Sequence, residues 1–118
     1  MKPNPVRHVV AMAAANRILA DYVERQDARY SGAQTLYHGT LRHFLDSVGE
    51  EAERAAGQLV LDEPRILRWM TEDARGRSLK YAYQRFAVLG HYLRALAQAG
   101  VITTDLLREF KVRHEWHC

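Results

Sequence analysis

Apolar residues recur every three to four positions along most of this chain, the period of α-helices that bury one face. Over residues 6–26, Ala15, Ile18, Leu19, Tyr22 and Val23 fall on one stripe and predict a first helix. A second begins at Ser31-Gly32-Ala33-Gln34. There the serine oxygen can accept from a first-turn N–H and Gln34 can reach back, which is a capping box. Tyr37, Leu41, Phe44, Leu45 and Val48 continue it at helical spacing, and Gly49 provides a stop. A glycine-containing connector runs to about residue 61. Within it Gln58-Leu59-Val60-Leu61 is the longest strand-like stretch, too short to carry a sheet alone. Asp62 or Glu63 caps a short third helix with Pro64 in its first turn, and Ile66, Leu67, Trp69 and Met70 form its apolar face. Arg75-Gly76-Arg77 interrupts the pattern. Ser78 then caps a long fourth helix to residue 99, closed by Gly100, with Leu79, Ala82, Phe86, Leu89, Leu93 and Leu96 as its stripe. A last short helix fits residues 104–110, capped by Thr103 or Thr104, and residues 111–118 read as a polar, loose tail. Such stripes are satisfied only by packing on one another. The expected fold is therefore all-α, an orthogonal bundle of four main helices plus a short C-terminal one.

Composition narrows the setting. The 118 residues are room for one domain, and 47% hydrophobic with 26% charged residues excludes disorder of the whole chain. The single cysteine, Cys118, rules out a disulfide within the chain, so a reducing, cytoplasmic location is expected. The apolar run from Val9 to Ala15 is too short to cross a bilayer. Asn16, Arg17 and Asp21 follow it without a cleavage site, so a signal peptide is not expected. The net charge is only +3, but it is unevenly placed. Residues 49–63 hold Glu50, Glu51, Glu53, Asp62 and Glu63 against Arg54 alone, and residues 76–98 hold Arg77, Lys80, Arg85 and Arg94 with no acid. A basic helix set apart from an acidic connector is the footprint of a polyanion-binding face.

The polar faces supply candidate contacts. Gln34, Thr35, His38 and Arg42 share one side of the second helix, and Arg77, Lys80, Tyr81, Gln84, Arg85 and Val88 lie off the leucine stripe of the fourth. Arg and Lys neutralise phosphates, whereas Ser, Thr, Gln and Tyr hydrogen-bond phosphate oxygens or base edges. Ser31 and Ser78 stand at helix N-termini, where free N–H groups favour a phosphate. The plainer alternative is that every helix in water needs a polar face.

Three stretches carry a resemblance. They are Leu19-Ala20-Asp21-Tyr22-Val23; Tyr30-Ser31-Gly32-Ala33-Gln34-Thr35-Leu36-Tyr37 with Leu41 and Phe44; and Ser78-Leu79-Lys80 through Leu89-Gly90-His91-Tyr92-Leu93 to Gly100-Val101-Ile102. With Leu61-Asp62 to Trp69-Met70 as a short third helix, the chain resembles the core-binding (SAM-like) domain at the N-terminus of tyrosine recombinases, the phage integrase family. The likeness spans about residues 15–103. It implies a DNA-binding domain over residues 15–110, preceded by an extension (1–14) and followed by a tail (111–118) leading toward a catalytic domain that this chain lacks. It implies double-stranded DNA as partner, location in the cytoplasm on the nucleoid, and two gripping helices. By position, Ser31, Gln34, Thr35, His38 and Arg42 would be contacts from one helix, and Arg77, Ser78, Lys80, Tyr81, Gln84 and Arg85 from the other. The chain departs from the pattern in two places. The serine-to-threonine spacing, Ser31 to Thr35, is one residue longer, and Thr103-Thr104-Asp105 stands where an Asn-Pro step usually follows. The family's chemistry needs a tyrosine nucleophile with arginines, a lysine and histidines in a C-terminal domain. No such set is present, so no enzymatic activity, cofactor or small-molecule substrate is expected.

Other constellations point elsewhere. His114, His117 and Cys118 are zinc-ligand types, but adjacent His and Cys suit one ion poorly, and no metal site is expected. A thiol at the last position lacks a shaped pocket for nucleophilic work. Trp69 reads as core and Trp116 as an exposed docking residue. No glycine-rich phosphate loop or paired-carboxylate motif occurs. The competing function is a helical protein-interaction or self-association module, with an apolar interface near the first helix or Trp116.

Overall fold

Seven elements make up the computed structural model, which describes residues 7–27, 33–102 and 106, with only the backbone of residues 26–27 and 33–35. In order they are β1 (His8–Ala11), α1 (Met12–Asp27), α2 (Ala33–Val48), α3 (Glu51–Ala55), β2 (Gln58–Leu61), α4 (Glu63–Ala74) and α5 (Leu79–Gln98). The architecture is mostly helical, with a two-stranded sheet added. The expected final helix lies outside the described residues except for Leu106, which is helical and buried. Ser31 and the tail from Lys111 to Cys118 also lie outside them.

The helices form for the anticipated reasons. Asp62 caps α4, its Oδ1 accepting from the Arg65 backbone N–H at 2.9 Å, with Pro64 in the first turn. Ser78 caps α5, its Oγ accepting from the Tyr81 N–H at 3.2 Å. At the other end Gly100 takes φ 75°, and the Val101 N–H reaches back to the Leu96 carbonyl at 3.0 Å. That is the Schellman closure, which needs a residue free to adopt a left-handed backbone.

One core unites these elements. Ala15, Ile18, Leu19, Tyr22 and Val23 of α1 meet Leu41, Phe44, Leu45 and Val48 of α2, Ile66, Trp69 and Met70 of α4, and Phe86, Leu89, Leu93 and Leu96 of α5. Edge-to-face ring pairs fix two of the seams: Tyr22 with Tyr37 at 5.7 Å and Phe44 with Trp69 at 5.2 Å. The buried Tyr92 hydroxyl donates to the Ala15 carbonyl at 2.7 Å and ties α5 to α1. Burial pushes this phenol's pKa upward, so the hydroxyl stays protonated.

Three features depart from the sequence reading. First, residues 8–11 are a strand, not the opening of the first helix. β1 pairs antiparallel with β2, His8 opposite Leu61 and Val10 opposite Leu59, and the Met12 N–H extends the ladder to the Gly57 carbonyl at 2.8 Å. Val10, Leu59 and Leu61 are thereby buried in the core, so residues from the expected N-terminal extension belong to the folded body. Second, the acidic connector contains α3, whose entry is held by the Glu50 N–H donating to Glu53 Oε1 at 3.0 Å. Third, Leu79 is 69% exposed although it sits on the leucine stripe of α5. It is the first residue of the helix, one turn ahead of the first buried stripe position, Ala82, and it projects past the core.

Candidate nucleic-acid interface

The two ends of α4 carry opposite charge. At its start Arg65 is buried and gathers the acids of the connector. Its Nη2 donates to Glu53 Oε2 at 2.8 Å and lies 3.5 Å from Glu50 Oε1, and its Nε is 3.7 Å from Asp62 Oδ2. The hydrogen bond from Arg65 holds the Glu53 carboxyl at about 2, well below its ordinary 4.5. The same bond raises the Arg65 pKa. Arg7 adds a further cation 3.5 Å from Asp62. Much of the acidic connector is thus neutralised internally.

At the other end of α4 the chain turns through Arg75-Gly76-Arg77 into α5. Gly76 takes φ 75° in this turn, a backbone that a side chain would strain. Asp73 lies beneath the turn, almost wholly buried. It receives a two-pronged bond from Arg85 of α5, Nε at 2.7 Å and Nη2 at 2.9 Å. The Arg77 Nε donates to the Asp73 carbonyl at 2.7 Å, and its Nη2 is 3.6 Å from the carboxylate. The Tyr81 ring lies under both guanidiniums, 5.3 Å from Arg77 Cζ and 6.0 Å from Arg85 Cζ. Burial works to lower the Arg85 pKa, and its bonds to Asp73 more than offset this, so the net shift is upward. From α2, His43 closes the cluster. Its Nδ1 accepts from the Trp69 Nε1–H at 3.1 Å, a role open only to the unprotonated nitrogen. Its 3.7 Å distance to Asp73 is therefore proximity rather than an ion pair.

This geometry sorts the sequence-derived candidates. Lys80, Tyr81 and Gln84 are exposed on the first turns of α5, and Ser78 is exposed as its cap. Arg77 is one-third exposed and leans on Asp73. Arg85 does not lie on the open face: it is 6% exposed and committed to Asp73, because α5 turns that side toward α4. Val88, one turn further on, is buried in the core as well. On α2, His38 is exposed, while Arg42 bridges Asn16 of α1 at 3.0 Å and Asp46 at 3.1 Å. Arg42 therefore faces the α1 edge of α2, whereas His43, the next residue and about 100° further round the helix, meets α4. Gln34 and Thr35 lie in the helical backbone of α2, and Ser31 lies outside the described residues.

Three residues escaped sequence reasoning. Arg75 belongs to the exposed corner beside Arg77 and Lys80, and it reads in sequence only as part of a break. Asp73 and His43 are drawn together by packing, with no local signal to announce them. Among the described residues neither Arg75 nor Lys80 has a carboxylate partner, and α5 has no acid in its first turn. Two cations without a carboxylate partner among the described residues, a third tied to Asp73, and the positive end of the α5 dipole therefore share one corner. Residues 65 and 75 are ten positions apart on the α4 axis, about 15 Å at the helical rise, so the corner stands clear of the neutralised acids.

No group of three or more potential metal ligands converges among the described residues, and no described helix is long and apolar enough to cross a membrane. Comparison with protein-family models, with curated proteins and with solved structures finds no match.

Proposed function

We propose that this chain is a duplex-DNA-binding domain, gripping phosphates with the corner between α4 and α5. The observation that carries the reading is the cluster of Arg75, Arg77 and Lys80 around the N-terminus of α5, where among the described residues neither Arg75 nor Lys80 has a carboxylate partner and Arg77 reaches only the buried Asp73. Like charges crowded this way repel one another, and a polyanion relieves that repulsion. Tyr81 and Gln84 stand beside them with hydrogen-bonding groups suited to phosphate oxygens or base edges. The resemblance to the core-binding domain of tyrosine recombinases adds a finer version. In it the helices cross as a SAM-like orthogonal bundle and α2 contributes a second set of contacts through His38. The domain then binds DNA without cutting it, and its place is on the nucleoid.

Titration of a fluorescent duplex with the full chain, followed by anisotropy over a range of salt, tests this. Three phosphate contacts predict a slope of log K against log salt of about −3, and Lys80→Ala flattens it by about one. Absence of duplex binding at low salt overturns the proposal. A concentration-dependent dimer in sedimentation together with indifference to DNA favours an oligomerisation module instead.

A further inference from the structure

The charge of the corner leaves one side chain unexplained. Leu79 is 69% exposed, more than Val9 at 58% or Tyr81 at 38%, the other large hydrophobic residues that stand out in solvent among the described residues. A scattered surface leucine needs no explanation. This one is the first residue of α5, just past a basic turn, with Arg75 and Arg77 before it and Lys80 after it. It is also held on a rigid mount. Ser78 caps the helix directly behind it, Arg77 is bonded to the Asp73 carbonyl, and the buried pair of Arg85 with Asp73 fixes the start of α5 to the end of α4.

We infer that Leu79 is a wedge that enters between two base pairs when the corner docks on duplex DNA. This rests on the DNA-binding reading and adds a mechanical activity to it, local unstacking and unwinding of the duplex. Apolar side chains of this size part base steps in proteins whose basic residues hold the flanking phosphates. The arrangement needs a tip that is apolar, exposed, fixed in position and ringed by cations, and Leu79 meets all four. An anionic bilayer is the other polyanion with an apolar interior. One leucine offers it far less apolar surface than a single acyl chain, which itself gives only marginal attachment.

The test uses a closed plasmid relaxed by a topoisomerase in the presence of the full chain, followed by deproteinisation and gel analysis of linking number. Binding is measured in parallel by gel shift. The wild-type chain is expected to shift the linking-number distribution in proportion to bound protein. Leu79→Ala should bind within about threefold of wild type yet lose the shift, and Leu79→Phe should restore it, since both apolar side chains serve as wedges. Lys80→Ala should bind more weakly but shift the distribution once saturated. Wild-type binding without a shift, or an equal shift by Leu79→Ala, overturns the wedge and leaves DNA binding intact. Failure to bind DNA at all removes both proposals together. Capture by phosphatidylserine vesicles that Leu79→Ala abolishes, without any unwinding, assigns the tip to lipid and overturns the wedge.

Discussion

Replacing Asp73 by alanine is expected to be among the most damaging single changes in this domain. The Asp73 side chain is 1% exposed and that of Arg85 8%, so truncation leaves a guanidinium out of water with no anion. Arg85 loses two short bonds at once, at 2.7 and 2.9 Å. Removing one partner of a buried ion pair costs about 3–5 kcal/mol, chiefly through the charge left behind. The contacts from Arg77 and His43 add little, because both side chains reach solvent. For 118 residues the whole stability is about 6–18 kcal/mol, so a large fraction is at stake. The expected drop in melting temperature is roughly 10–25 °C. Urea denaturation followed by far-ultraviolet circular dichroism measures it. The double variant Asp73→Leu/Arg85→Met removes both charges and should recover most of the loss. A cost below about 1 kcal/mol for Asp73→Ala, or no recovery in the double variant, refutes the reasoning about this pair.

Three further outcomes follow from other contacts. The Glu53 carboxyl lies at about 2 when folded against an ordinary 4.5, so its bond to Arg65 contributes stability that is complete above pH 4.5 and is lost as pH falls toward 2. Glu53→Gln should lower stability at neutral pH and flatten that acid limb, and an unchanged acid limb in stability-against-pH curves sinks the assignment. Ser78→Ala removes the cap on α5 and should cost about 1 kcal/mol by thermal melting, whereas Ser78→Asp should retain it. Tyr92→Phe removes the buried bond between α5 and α1 while the Ala15 carbonyl keeps its partner within the α1 helix, and should cost about 0.5–1.5 kcal/mol, read by chemical denaturation; a neutral result shows that this bond does not stabilise the fold.

What could be read from sequence was whatever is decided within a few residues. The caps at Asp62 and Ser78, the stop at Gly100 and the stripes of α1, α2, α4 and α5 are local, and they stand in the fold where the pattern puts them. β1 escaped because Val9-Val10-Ala11-Met12-Ala13 continues an apolar run that suits a helix, and its strand partner lies 47 to 53 positions away. Arg85 escaped for a similar reason. Helical spacing set it beside Lys80 and Gln84, and only the approach of Asp73, from another helix, turns it inward. Leu79 reversed the error, since a stripe position says nothing about how far the core extends. The site itself was half legible: Lys80, Tyr81 and Gln84 emerged from spacing and residue type, whereas Arg75, Asp73 and His43 required the packing of α2, α4 and α5.

The pairing of β1 with β2 also bears on how the chain is made. β1 is synthesised 47 to 53 positions ahead of the residues it pairs with in β2. At about 5–20 residues per second, the 47 to 53 intervening positions correspond to roughly 2–11 s of waiting. Throughout that interval Val9 and Val10 have open backbone groups beside them, a template for the wrong partner. α1 and α2 can collapse on each other meanwhile, because their contacts are nearer in sequence. The clasp therefore closes late. Misassembly during production should respond to changes in residues 8–11 more than their small share of the core implies.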